Sequence, residues 1–150
     1  MGRSKYGKAC VQGKGSRRLF VPYFHFGKDV KMTKEQARKL HCTVEAALAL
    51  VGGKYKAIIV WWLDHRRTMR FSELQRAIPQ ATAKMLVQQL REMEGDELVS
   101  RKVYPVVPPK TEYALTALGK SLVPIVKAMD SWGAAWFRHM ELPVPCDEEI

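Results

Sequence analysis

The stretch from Met69 to Lys120, MRFSELQRAIPQATAKMLVQQLREMEGDELVSRKVYPVVPPKTEYALTALGK, leaves this chain few folds to choose from. Phe71 to Ile78 reads as a short helix, with Ser72 and Glu73 in its first turn and Pro79 ending it. Thr82 is placed to cap a second helix over Ala83–Met93. After Gly95, Leu98–Tyr104 alternates as a strand, Pro105–Pro109 turns, and Thr111–Leu115 returns. Two helices meeting at a tight turn and followed at once by a two-stranded ribbon predict a mainly α fold with a small β-ribbon. That order of elements suits one helix lying in a DNA major groove, with the ribbon tip on the neighbouring backbone.

On a helical wheel, Ala83, Leu86, Leu90 and Met93 form one face of the second helix, the stripe that packs on a core. Lys84, Gln88 and Arg91 fall opposite, with Ala81 near the start and Met85 and Val87 at the flanks. Glutamine can bridge adenine N6 and N7, lysine or arginine can reach guanine or phosphate, and methionine or valine can touch a thymine methyl. Solvated helix faces hold the same residue types, so the face alone does not identify a DNA reader. The preceding helix, the Pro79–Gln80–Ala81 turn and the ribbon favour one.

On the ribbon, Arg101, Lys102 and Lys110 bracket the tip Tyr104–Pro109, whose prolines lower the cost of holding one shape. These cations can neutralise phosphates, which positions a protein on DNA without specifying sequence. An ordinary solvated hairpin is the alternative. The candidate DNA contacts are therefore Thr82, Lys84, Met85, Gln88 and Arg91 on the helix, and Arg70, Arg101, Lys102 and Lys110 on the wing and backbone.

Upstream, Thr33 can cap Lys34–Lys39, and a further helix runs from Cys42–Thr43 to Gly52–Gly53. Lys54–Leu63, KYKAIIVWWL, fits a buried strand as readily as a helix by pattern and is assigned as helix. Downstream, Thr116 opens a last helix that extends to about His139. Along it Leu118, Leu122, Ile125, Met129, Trp132 and Trp136 are spaced 4-3-4-3-4, which predicts a dimer seam, with packing inside the chain as the alternative. Pro124 is expected to kink this helix near Gly119–Lys120.

With 150 residues, 47% of them hydrophobic, the chain suits one compact domain. Its charge of +10 is uneven: residues 1–40 hold 11 Lys/Arg against 2 acids, leaving 14 against 13 for residues 41–150. Overall charge is thus weak evidence that the folded part binds nucleic acid; local arrangement carries the case. No apolar run approaches the roughly 18 residues of a membrane span and no signal peptide is visible, so a soluble, cytoplasmic protein without membrane contact is expected. Cys10, Cys42 and Cys146 are too few and scattered for a disulfide framework or zinc site, and His41, His65 and His139 lack metal-ligand spacing.

Residues 1–31 are read as a basic extension, either disordered or an arm on DNA phosphates. A translation start at Met32 would instead leave MTKEQARKLHC as a short leader. Residues 32–142 form the expected domain and residues 143–150 a frayed acidic tail.

These residues, in this order, resemble the HxlR family of winged-helix transcription regulators, relatives of the MarR-type regulators. The likeness covers about Cys42 to Trp136 and is carried by Cys42–Ala46, Gly52–Gly53–Lys54, Met69–Leu74 and Ile78–Pro79. It continues through Lys84–Leu86, Gln88–Arg91, Leu98–Arg101, Tyr104–Pro105, Val107–Pro109, Glu112–Tyr113, Leu115–Thr116, Leu118–Gly119 and Trp132–Gly133. The resemblance implies a winged helix-turn-helix homodimer joined through its N-terminal and C-terminal helices. It also implies a recognition helix at Thr82–Met93, a wing at Tyr104–Lys110, and a pseudo-palindromic operator on double-stranded DNA. Three positions depart from the family's pattern: Thr43 stands where Pro is usual, Glu97 where Gly is usual, and Val106 where the wing commonly has an acid.

Cys42 matches the cysteine that thiol-stress members of the family use for redox sensing. A helix N-terminus favours the reactive thiolate, and a small electrophile or oxidant would be the effector. A small apolar packing role is the alternative. A winged-helix protein–protein module is the second functional class, though an acidic helix face would have suited it better than Lys84–Arg91 does. No nucleophile–base pair, phosphate loop or metal cluster points to an enzyme, and no cofactor is implied. A small-molecule pocket lined by Trp61, Trp62 or Trp132 remains open beside plain core packing.

Overall fold

The protein is described by a computed structural model covering residues 33–145. The basic extension expected over residues 1–31 and all of the tail beyond residue 145, with Cys10 and Cys146, lie outside the described residues. The apolar run that pattern alone left between strand and helix is a helix, α3 (Lys56–Arg66). Lys56, Ile59, Val60 and Leu63 are its buried positions, the i, i+3, i+4, i+7 spacing of one helical face. Around α3 pack α4 (Phe71–Ala77), α5 (Ala83–Gly95) and α7 (Val123–His139). Leu74, Ile78, Leu86, Leu90 and Met93 are wholly buried there, each such side chain worth roughly 1.5–3 kcal/mol.

Before this core come α1 (Lys34–Arg38) and α2 (Thr43–Val51), neither of which buries a residue. Thr33 caps α1 through a reciprocal pair with Gln36. No single helix among the described residues is long and apolar enough to cross a membrane.

The sheet has three strands where the sequence predicts two. β2 (Val99–Tyr104) and β3 (Lys110–Leu115) form the expected antiparallel ribbon, and β1 (Thr68–Arg70) pairs with the other edge of β3. Three residues are too few to show alternation, so β1 leaves no signal in the sequence, although Met69 points inward and is buried.

The C-terminal segment also differs from expectation. It is two helices, α6 (Ala117–Ser121) and α7, which meet at Leu122. Pro124 sits in the first turn of α7, where its missing N–H leaves no bond unmade. It therefore starts a helix and does not kink one.

Helix α5 runs two residues beyond the predicted Met93, to Gly95. Its end is a reciprocal cap in which Leu98 N–H donates to Met93 O (2.8 Å) and Glu97 N–H donates to Glu94 O (3.1 Å). Glu97, where the family pattern has glycine, occupies the left-handed region at φ 60°. The helix thus stops where glycine would stop it, with a side chain held in a conformation that glycine adopts more cheaply.

Candidate nucleic-acid interface

The turn between α4 and α5 is held from the core. Ala81 N–H donates to Ile78 O (3.0 Å), and the buried Tyr55 donates its hydroxyl to Gln80 O (2.8 Å). Thr82 then caps α5, its Oγ1 accepting Met85 N–H at 3.2 Å. Leu86, Leu90 and Met93 fix the inner face, while Lys84, Met85, Gln88 and Arg91 all reach solvent on the outer side. Two residues exchange their predicted places: Ala83 is exposed and Ala81 is buried, because the chain turns inward just before the cap.

Gln88 is not free on that surface. Its Nε2 donates to Glu92 Oε1 at 2.9 Å, and Glu92 Oε2 lies 2.9 Å from Nζ of Lys56, a lysine buried at the start of α3. Gln89 Nε2 donates to Glu92 as well, at 3.3 Å. A Cβ on Gly53 would run into Gln89 Oε1 and come within 2.9 Å of Lys56 Cγ, so the bare glycine makes room for this cluster. Sequence reasoning missed Lys56 and Glu92. The available signal was a lysine inside an otherwise apolar run and a glutamate between two core positions, Leu90 and Met93.

The strand register divides the predicted wing cations. Arg70 and Lys102 both pair across from Glu112, and Tyr104 pairs with Lys110, which puts these residues on one face of the sheet. Arg101 pairs with Tyr113 on the opposite face, so it does not join Lys102 and Lys110. Lys110 forms an ion pair with Glu112, and both Lys102 and Lys110 lie over the Tyr104 ring, at 4.9 and 4.8 Å from its centroid. Tyr104 donates its hydroxyl to Glu112 at 2.8 Å. Lys110, then Tyr104, hold the Glu112 carboxyl below the usual glutamate range. The tip beyond, Pro105–Pro109, is exposed. Its residues Val106–Pro109, with Arg70, Phe71 and Ser72, line an open groove of about 540 Å³.

Cys42 is exposed and caps α2, its Sγ accepting Glu45 N–H at 3.3 Å. Glu45 Oε2 accepts the backbone N–H of His41 (2.8 Å). Val44 and Leu48, one turn apart on α2, are each 64% exposed. On α7, Ile125, Met129, Trp132 and Trp136 form an exposed apolar stripe, with Trp132 at 70%. Leu118 is exposed on the separate helix α6, whereas Leu122 is half-buried against the core of its own chain. Of the three tryptophans considered for a ligand pocket, Trp62 borders an open groove of about 490 Å³, with Arg66, Met69, Glu73 and Arg76. Trp61 packs on His65 and lines a small cleft with Asp64, Val126 and Lys127, and Trp132 lies on α7.

A sequence model described as the HxlR-like helix-turn-helix matches residues 50–141, from within α2 to just past α7. The chain belongs to the HxlR-like helix-turn-helix family. An HTH-type transcriptional regulator of Methanothermobacter thermautotrophicus is 45% identical over 100 residues, 67% of this chain and 76% of that one. The putative regulatory protein MalR of Fusobacterium mortiferum is 44% identical over 99 residues, 66% of this chain and 93% of that one. Among solved structures, the reduced form of the redox regulator HypR is 43% identical, covers 67% of this chain and 98% of its own, and superposes with a TM-score of 0.63. The chain is a transcription regulator of the winged-helix, MarR-like type with a helix-turn-helix DNA-binding domain, and not an enzyme. Helices α4 and α5 are its helix-turn-helix and the β2–β3 ribbon its wing. The family match begins downstream of Cys42, so membership alone does not give that cysteine a role.

Proposed function

We propose that this HxlR-type regulator is a cytoplasmic, sequence-specific repressor that binds a pseudo-palindromic operator as a homodimer. The reading is carried by α5, which buries Leu86, Leu90 and Met93 while offering Lys84, Met85, Gln88 and Arg91 to solvent as one rigid unit. Thr82 fixes the start of that unit through its cap. Lys102, Lys110 and Arg70 share one face of the sheet and serve phosphates, with Arg101 serving them from the other face. Dimerisation runs through the exposed apolar residues of α2 and through Leu118, Ile125, Met129, Trp132 and Trp136, apolar surface that a single chain leaves open to water. The domain so used spans residues 32–142.

Cys42 is the proposed entry point for a signal. It is exposed at a helix N-terminus, next to the α2 surface assigned to the dimer, and structural relatives include a protein described as a redox regulator. Attack of its thiolate on a small electrophile or oxidant would alter that interface and the spacing of the two wings.

Selection of bound fragments from a random duplex library with the full chain tests the reading. The expected product is a two-fold symmetric motif with half-sites about one helical turn apart; recovery of unrelated sequences contradicts it. Release from that motif by a thiol oxidant is expected to disappear in Cys42→Ser. Unchanged release in that variant removes the sensing role and leaves DNA binding standing.

A further inference from the structure

We propose that Glu92, clamped by the buried Lys56, sets the orientation in which Gln88 meets a base pair. Glu92 is thereby a positioning residue for sequence discrimination that need not touch DNA. The inference rests on the reading of α5 as the recognition helix.

Both oxygens of the Glu92 carboxylate are engaged, Oε2 by Lys56 Nζ at 2.9 Å and Oε1 by Gln88 Nε2 at 2.9 Å. The Lys56 and Glu92 side chains are only 6% and 17% exposed, and they join α3, the central core helix, to α5. A carboxylate accepts and does not donate, so Gln88 must turn its NH₂ edge towards Glu92. That choice fixes the amide, leaving Oε1 and the second N–H for a base. Bidentate reading of adenine needs one N–H and one oxygen in a set order. An untethered glutamine samples both amide orientations and several rotamers, and loses that freedom on binding. An ordinary surface pair on a helix would not impose this, because its carboxylate swings freely. Here the ion pair to the core holds the carboxylate still.

The test titrates every single-base variant of the selected half-site with wild type, Gln88→Ala, the double replacement Lys56→Met/Glu92→Leu, and the three changes combined. Replacing both members of a buried ion pair with apolar residues of similar volume preserves folding in many proteins, and here it removes the acceptor for Gln88. Gln88→Ala is expected to lower discrimination at one base pair per half-site by on the order of tenfold. The double replacement is expected to lower discrimination at that same base pair several-fold, to leave the other positions alone, and to add nothing when Gln88 is already alanine.

Glu92→Gln, matched in shape, gives a second route. Lys56 can only donate, so it takes the oxygen of the new amide and leaves the NH₂ facing Gln88, whose own amide must then turn over; discrimination should fall at the same place. Full discrimination at that base pair in these Glu92 variants, or an equal loss on all sequences, overturns the inference while the recognition-helix reading survives. If Gln88→Ala itself changes no base preference, both fall.

Discussion

Thr116 donates its hydroxyl to the carbonyl oxygen of Glu97 at 2.6 Å, and the same Oγ1 accepts Gly119 N–H at 3.0 Å. One side chain therefore caps α6 and grips the turn that ends α5. Close approach is possible there because position 119 is glycine: a Cβ would meet Leu98 O. The end of α5, the proposed recognition helix, is thus fastened to the start of the C-terminal helices. Thr116→Ala should lose the cap and the hydroxyl bond to the Glu97 carbonyl, costing about 1–2 kcal/mol. A denaturant titration reads this as a lower midpoint at unchanged slope.

Glu97 sits next to that fastening at φ 60°. A non-glycine residue in this region costs about 1–2 kcal/mol, part of which glycine returns through its greater freedom in the unfolded chain. Glu97→Gly should therefore stabilise by roughly 0.5–1 kcal/mol and raise the melting temperature by about 2–5 °C. A lower melting temperature would mean that the glutamate side chain contributes more than its backbone costs.

Glu112 stands between the wing cations Lys102, Lys110 and Arg70. Its folded carboxyl titrates below the ordinary glutamate value of 4.5, first because of Lys110 and then because of Tyr104. A depressed folded pKa contributes stability above the unfolded value and loses it as pH falls through the folded one. The Glu112–Lys110 pair should therefore persist at pH 4.5 and break below it, which a carboxyl-carbon NMR titration of Glu112 can follow.

At neutral pH, Glu112→Gln releases Lys110 from its anion. Affinity for all sequences should rise together, and the slope of log K against log salt should steepen by up to about 0.9, one extra phosphate's worth. A change confined to one base pair would contradict a backbone role for this face.

Met129 and Trp132 lie on the exposed stripe of α7, away from Val126, which faces the core. Met129→Glu/Trp132→Glu should leave the melting of the isolated chain nearly unchanged, because neither residue is buried. Sedimentation equilibrium should show the shift from dimer to monomer, with operator affinity falling at least tenfold. A dimer that survives both charges would move the interface elsewhere.

Much of this was legible in the sequence because it is local. Thr33, Thr82 and Thr116 announced helix starts through short-range capping chemistry, and the alternation of Leu98–Tyr104 announced a strand. The outer face of α5 followed from a helical wheel. What stayed hidden depends on partners distant in the chain. β1 depends on the edge that β3 offers it, and the buried Lys56 meets its charge partner Glu92 from a helix far along the chain. Pro124 misled because a proline that kinks one long helix and a proline that begins a second read alike until Leu122 is seen packing on the core. Arg101 could have been separated from Lys102 by strand alternation alone, a local signal that grouping by charge concealed.

The most direct test of the central claim is a hydroxyl-radical footprint of the full chain on its selected operator. Two protected patches on one face of the duplex, with centres about 34 Å apart, are predicted for the wild type, and weaker protection of single half-sites for Met129→Glu/Trp132→Glu. Continuous, sequence-independent protection, or none at salt near 0.15 M, would contradict a dimer that reads DNA through α5.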